Sequence, residues 1–261
     1  FPVVALPVLF IAGRQPFELL SNDISLLIFA GLISALALLM YFFALEREET
    51  SLVAPMFQLM PVFGYFLGII VLNEYIDAGR VIACVVVILG ATFLSFEVEE
   101  EKGIRFKAKP MLLMVGASLL LTISDVIFKK VTLDGDYAAS LFWNFVGYGL
   151  FAALLVIFVA RFRRSFVSTI RTQSRKVVSL NLFNELLQTV ATTTFSYALL
   201  LAPIALVLLT EAYQPVFVLL IGIMLTAYFP YIATGLLSRK HLLHKTAAIA
   251  TVVIGSIFVY F

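Results

Sequence analysis

Residues 41–63 read YFFALEREETSLVAPMFQLMPVF, and residues 195–217 read FSYALLLAPIALVLLTEAYQPVF. Laid so that residue 41 meets residue 195, Ala44-Leu45 falls on Ala198-Leu199 and Val53 on Val207. Pro61-Val62-Phe63 then falls on Pro215-Val216-Phe217, and Gly68 on Gly222. Both stretches sit among long apolar runs, so this is a hydrophobic chain built from two related halves. Such duplication is the usual sequence trace of a carrier whose binding site lies where the repeats meet.

Working outward, composition places the chain in a bilayer. Apolar residues make up 62% and charged residues 13%, with a mean hydropathy of +1.06, far from the averages of soluble domains. A helix needs about 20 mostly apolar residues to cross a hydrocarbon core. Eight runs qualify: 24–45, 51–72, 78–96, 110–130, 138–160, 177–200, 203–228 and 246–261. Residues 1–13 read as the tail of another. The alternating pattern of a membrane β-barrel is absent. The expected fold is therefore an all-α polytopic membrane protein, an inverted-repeat helical bundle. Because the chain opens with Phe1 inside an apolar run, further N-terminal helices are expected to precede it. The expected division is a first repeat over 1–97, a charged linker over 98–109 and a second repeat over 110–261. Cys84 stands alone in an apolar run and reads as packing, without a disulfide or metal cluster.

The strings ALEREETSLVAPMFQLMPVF and GIIVLNEYIDAGRVIACVVVILGATFLS, with SYALLLAPIALVLLTEAYQPVF in the second half, resemble the EamA domains of the drug/metabolite transporter superfamily. The shared marks are the Ala-Leu ending one helix, the Pro-Val-Phe inside the next, Asn73-Glu74 after it, and Gly90, answered by Gly255. The resemblance implies ten helices in two five-helix inverted repeats around a central cavity, of which about eight and a part are here. It also implies transport of small metabolites. Two departures stand out. The acidic residue the family places near the end of its ninth helix is missing around Ala227-Tyr228, and FPYIATGLLSRKHLLHK lengthens the connection that follows.

Charge bears on orientation. Alternating spans put Arg47, the Lys102 to Lys109 group, six basic residues from Arg161 to Lys176, and Arg239, Lys240 and Lys245 on one side; that is 14 of 18 basic residues. The positive-inside rule makes that side cytoplasmic and leaves Phe261 outside. The resemblance implies a cytoplasmic C-terminus, so the two readings conflict. The stretch RFRRSFVSTIRTQSRK mixes arginine with phenylalanine as some nucleic-acid patches do, but beside a membrane span it reads as a topology anchor at anionic headgroups.

Ionisable groups inside apolar runs are costly unless they face protein or water. Three stand out. Asp125 has Lys129 one turn on, an arrangement that suits a simple helix pair as well as ion coupling. Asn181, Glu185, Gln188 and Thr192 share one helix face, which is expected to look into the bundle, as a cavity lining or a hydrogen-bonded seam. Glu211 lies in LLTEAYQPVF, where Pro215 withholds a backbone donor and is expected to free the Glu211 carbonyl. The matching segment holds Gln58 and Pro61, so Pro61 and Pro215 are the candidate helix breaks or hinges. The candidate solute-binding set is Glu211, Gln214, Glu185, Gln188, Gln58, Asn144, Trp143, Tyr41 and Tyr197, with Trp143 and the tyrosines equally suited to an interfacial belt. Glu211, Glu185 and Asp125 are the candidates for ion coupling. His241 and His244 stand among cations and read as surface residues.

These residues lead to a secondary transporter that moves a small metabolite, such as an amino acid or amine, by alternating access. Efflux and proton coupling are both open to it. The expected partners are the solute, a proton and the lipid bilayer, with no nucleic acid, cofactor or metal. The expected location is a bacterial or archaeal plasma membrane. No nucleotide-binding, HExxH, Gly-x-Ser-x-Gly or Asp-rich motif is present. The alternatives from other classes are an integral membrane enzyme and a non-transporting membrane scaffold.

Overall fold

The computed structural model describes residues 6–7, 9–10, 19–47, 54–95, 108–172, 175–214, 217, 220–221, 224 and 254. Most of the linker, most of the 203–228 run past residue 214, nearly all of the 246–261 run, Pro215, His241 and His244 lie outside the described residues. The described residues form eight α-helices and no strand: α1 Ser21–Leu45, α2 Leu59–Leu67, α3 Ala78–Ser95, α4 Ala108–Thr132, α5 Tyr137–Phe158, α6 Ala160–Thr172, α7 Arg175–Leu201 and α8 Ile204–Leu208. A 3-10 turn over Ala54–Gln58 leads into α2, a π turn over Gly68–Leu72 ends it, and a 3-10 turn over Leu209–Tyr213 prolongs α8.

Three helices are long and apolar enough to cross a bilayer: Ser21–Leu45, Lys109–Thr132 and Tyr137–Phe158. Even the shortest, with 22 residues, rises about 33 Å at 1.5 Å per residue, against a hydrocarbon core of about 30 Å. Their outer faces carry Phe29, Leu36, Phe42, Leu150, Leu154 and Ile157, all exposed and suited to lipid. The described residues are all-helical, and the protein is an integral membrane protein. Local chemistry sets the ends. Asp136 caps α5 by accepting from the Ala139 amide at 2.8 Å, and Lys129 and Lys130 close the last turn of α4, where the helix dipole favours cations.

The helices sort into two compact units that cut across the sequence repeats. One comprises Phe1–Leu39 and Leu120–Ala202, the other Met40–Leu119 and Pro203–Phe261. Each unit thus takes helices from both repeats, and α1 and α4 each contribute to both.

In the first unit, α1 and α5 meet backbone to backbone. A methyl group on Gly31 would collide with the Asn144 carbonyl oxygen and come within 2.9 Å of Gly147 Cα; one on Gly147 would strike the Ile28 carbonyl. Without a hydrophobic drive between helices in lipid, such contact of small residues supplies the dispersion that holds them. Polar bonds fix the register. Ser34 Oγ on α1 donates to Ser124 Oγ on α4 at 2.6 Å, and Ser124 Oγ donates to the Ala30 carbonyl at 2.9 Å. The Tyr148 hydroxyl on α5 bonds Ser34 in turn.

The second unit is built where α2 and α8 pack. Gly64 lies so close to α8 that an added methyl would stand 2.5 Å from Leu208 Cδ1 and 3.4 Å from Ala205 Cα. Beside them Ala83 and Val87 of α3 meet Leu206, Leu209 and Ala212, with Cys84 and Tyr213 at the edge. A second cluster joins Ala44 of α1 to Met114 of α4, flanked by Tyr41, Met56 and Phe57.

Replacing Gly147 with leucine is expected to lower the thermal midpoint in detergent, at a cost of about 1–3 kcal/mol or more from overpacking. Leu150→Ala, on the exposed face of the same helix, is the control that leaves it nearly unchanged.

Candidate solute and proton site

The two repeats place the same local feature at positions that agree to within one residue. The 3-10 turn Ala54–Gln58 runs just ahead of Pro61, and the 3-10 turn Leu209–Tyr213 just ahead of Pro215 in the sequence. Pro61, inside α2, withholds its amide and crowds the Phe57 carbonyl four residues back, and Glu211 stands four residues before Pro215 in the sequence. The backbone answers by tightening. The expectation that the Glu211 carbonyl is left free is corrected here, because it accepts the amide of Gln214, three residues on, in 3-10 fashion.

The two 3-10 turns contact each other inside the second unit. Gln58 is 4% exposed, and its Oε1 is buried without a hydrogen-bond partner among the described residues. Glu211 is half-buried. Its carboxylate has no hydrogen bond or ion pair among the described residues. Tyr41 joins this group through Phe57, the neighbour of Gln58, with ring centroids 5.0 Å apart. Gln214 is exposed at the end of the turn, and Pro61 is buried in α2. Tyr41, Gln58, Pro61, Glu211 and Gln214 therefore share one unit.

The remaining candidates belong to the other unit. Asn144 is buried on α5, and Trp143 beside it is half-buried, edge-on to Phe142 with centroids 5.3 Å apart. Tyr197 packs edge-on against Tyr137 at 5.4 Å, and the Tyr137 hydroxyl donates to the Thr193 carbonyl at 2.5 Å. On the polar stripe of α7, Asn181 and Gln188 are exposed, Glu185 and Thr192 half-buried, and Ser196 buried. Asp125 is half-buried on α4, within electrostatic reach of the Tyr148 hydroxyl.

Two charged groups matter more than their sequence positions suggest. Lys129 reads in sequence as a helix partner for Asp125. It is buried, and its Nζ donates to the Ala202 carbonyl at 2.6 Å, where α7 ends. Glu74 carries the second. The π turn ends at Asn73 in the left-handed region (φ 54°, ψ 34°), and the Glu74 amide returns to the Gly68 carbonyl at 3.0 Å. Asparagine tolerates that conformation better than other side-chain-bearing residues. The reversal brings Glu74 Oε2 to the Ile204 amide at 2.7 Å, at the start of α8. Asn73-Glu74 after a helix was the available signal, but nothing in sequence tied it to residue 204.

Against known proteins, residues 2–96 match the EamA-like transporter family. The match covers the stretch read as the first repeat, so that part of the chain is similar to EamA-like transporters. A solved structure titled only "Crystal structure of protein" superposes with a TM-score of 0.65, over 98% of this chain and 81% of that one, at 13% identity. At that identity the likeness shows the fold alone. No curated protein sequence matches the chain.

Glu74→Ala is expected to cost about 1.5–3 kcal/mol, the range for a hydrogen bond to a charged group, whereas Glu74→Gln keeps an acceptor and loses less. Hydrogen exchange at the Ile204 amide reads the difference directly. It should speed up in the alanine variant and stay slow in the glutamine variant.

Proposed function

We propose that the protein is a secondary transporter of a prokaryotic plasma membrane, moving a small solute with a protonated amino group, an amine or an amino acid, by alternating access. The observation that carries this reading is the pairing of two acceptors without donors: the buried Gln58 Oε1 and the Glu211 carboxylate, on 3-10 turns in contact. A buried acceptor left unpaired costs about 1–3 kcal/mol, and a carboxylate in hydrocarbon several. A chain keeps such groups where a ligand supplies the missing donors. An ammonium group offers three, and a proton on Glu211 offers one.

In this reading solute and proton compete for Glu211, so that loading one releases the other and a proton gradient drives the cycle. Asp125 and Glu185, in the other unit, are further places for a coupling proton. Tyr41 closes the apolar side of the solute site through Phe57, and Gln214 receives the solute's polar end.

The test is flux of radiolabelled amines and amino acids into proteoliposomes, with and without a pH gradient. Glu211→Gln is expected to lower gradient-driven flux about ten- to a hundredfold, the equivalent of one charged hydrogen bond. Wild-type flux with unchanged pH dependence would remove Glu211 from the site. Gln58→Leu gives a second, opposed signature. Removing a buried orphan acceptor should hold or raise the thermal midpoint while flux falls several-fold. If midpoint and flux fall together, Gln58 is structural.

A further inference from the structure

The connection after α5, which reads as a basic topology anchor in sequence, is a separate helix. Val159 alone breaks the α-helical run, with an extended backbone (φ −106°, ψ 102°), and α6 runs from Ala160 to Thr172. α5 is one of the three helices able to span the bilayer, so α6 starts within two residues of where that helix ends. Arg163 Nη1 donates back to the Ile157 carbonyl at 3.4 Å, a cation at the negative end of α5.

The two sides of α6 differ. Phe162 and Phe166 are four residues apart and share a face, with Phe166 54% exposed. Arg161, Arg164 and Ser168 are spaced three and four apart on the opposite side, all exposed. ARFRRSFVSTIRT contains no acidic residue, and the chain continues with Arg175 and Lys176. An aromatic face backed by arginines, set beside the end of a membrane span, has the form of a helix lying in the interface plane.

We infer that α6 lies along the bilayer surface as a binding site for anionic phospholipid, with Phe162 and Phe166 in the acyl boundary and Arg161 and Arg164 on the headgroups. The occupant is the headgroup layer of the leaflet that receives the end of α5. Charge complementarity selects its anionic lipids, because the face offers cations and no counter-charge of its own. This goes beyond the transport reading and stands independently of it.

Cys84 is the only cysteine in the chain, so single-cysteine variants are made in a Cys84→Ala background. Phe166→Cys and Ser168→Cys, about 200° apart around the helix, are labelled with an environment-sensitive fluorophore. The full chain is then placed in discs of phosphatidylcholine, or of phosphatidylcholine with phosphatidylglycerol, each carrying brominated acyl chains. In the mixed lipid the label at 166 should be quenched about threefold more than the label at 168. That contrast should shrink in pure phosphatidylcholine, and in the mixed lipid when Arg161, Arg163 and Arg164 are all changed to Gln. Equal quenching at the two positions, or a contrast indifferent to both lipid charge and the arginines, overturns the inference.

Discussion

The carboxylate of Glu74 and the amide of Ile204 are 130 residues apart in the chain and 2.7 Å apart in space. The rest of the second unit depends on that bond. It seats α8 at its first turn, and from there the chain runs two turns to Glu211. The left-handed Asn73 makes the bond reachable, Gly68 gives the carboxylate room, and Gly64 lets the helix bodies approach. At the other side of the same break, Lys129 holds the Ala202 carbonyl. The charges match the helix ends they meet, a cation at the C-terminus of α7 and an anion at the N-terminus of α8. A two-residue interruption between α7 and α8 would otherwise leave several backbone groups without partners in a bilayer.

The prolines impose a second constraint. In each repeat the chain tightens into a 3-10 turn before the proline, and Gln58 and Glu211 ride on those turns. A regular α-helix satisfies its own backbone and leaves side chains to do the binding. A 3-10 turn redirects the side chains at fixed places, and here the residues redirected are acceptors. The arrangement is tolerable in lipid because the carbonyls stay bonded, as the Gln214–Glu211 contact illustrates.

Most helices were legible because apolar run length is a property of the local sequence. The runs 24–45, 78–96, 110–130 and 177–200 lie within three residues of α1, α3, α4 and α7 at each end. The 138–160 run ends two residues late, because Val159 is as apolar as its neighbours and its extended backbone leaves no mark in composition. The charge of 160–172 reads as a topology anchor, and its phenylalanines are spaced for the helix that forms there. What the pattern lacked was pairing information. Neither the interleaving of repeats into units nor the reach of Glu74 to Ile204 is encoded in periodicity. The same limit governs the site. Spacing put Asn181, Glu185, Gln188 and Thr192 on one face, but depth along α7 decides their exposure. The proline match, with the ionisable Glu211 inside an apolar run, pointed to Gln58 and Glu211, which lie in one unit.

The interleaving also bears on how the protein is made. A ribosome delivers the chain from its beginning, so residues up to Leu39 emerge long before their companions from Leu120 to Ala202. The segment from Met40 to Leu119 must likewise wait for Pro203 onward. For much of synthesis both units are half-built, with Gly31 facing no helix and Glu74 no amide. A partly made chain in the membrane is then a set of helices with open polar and small-residue faces, and such faces are what quality-control proteases and insertases find.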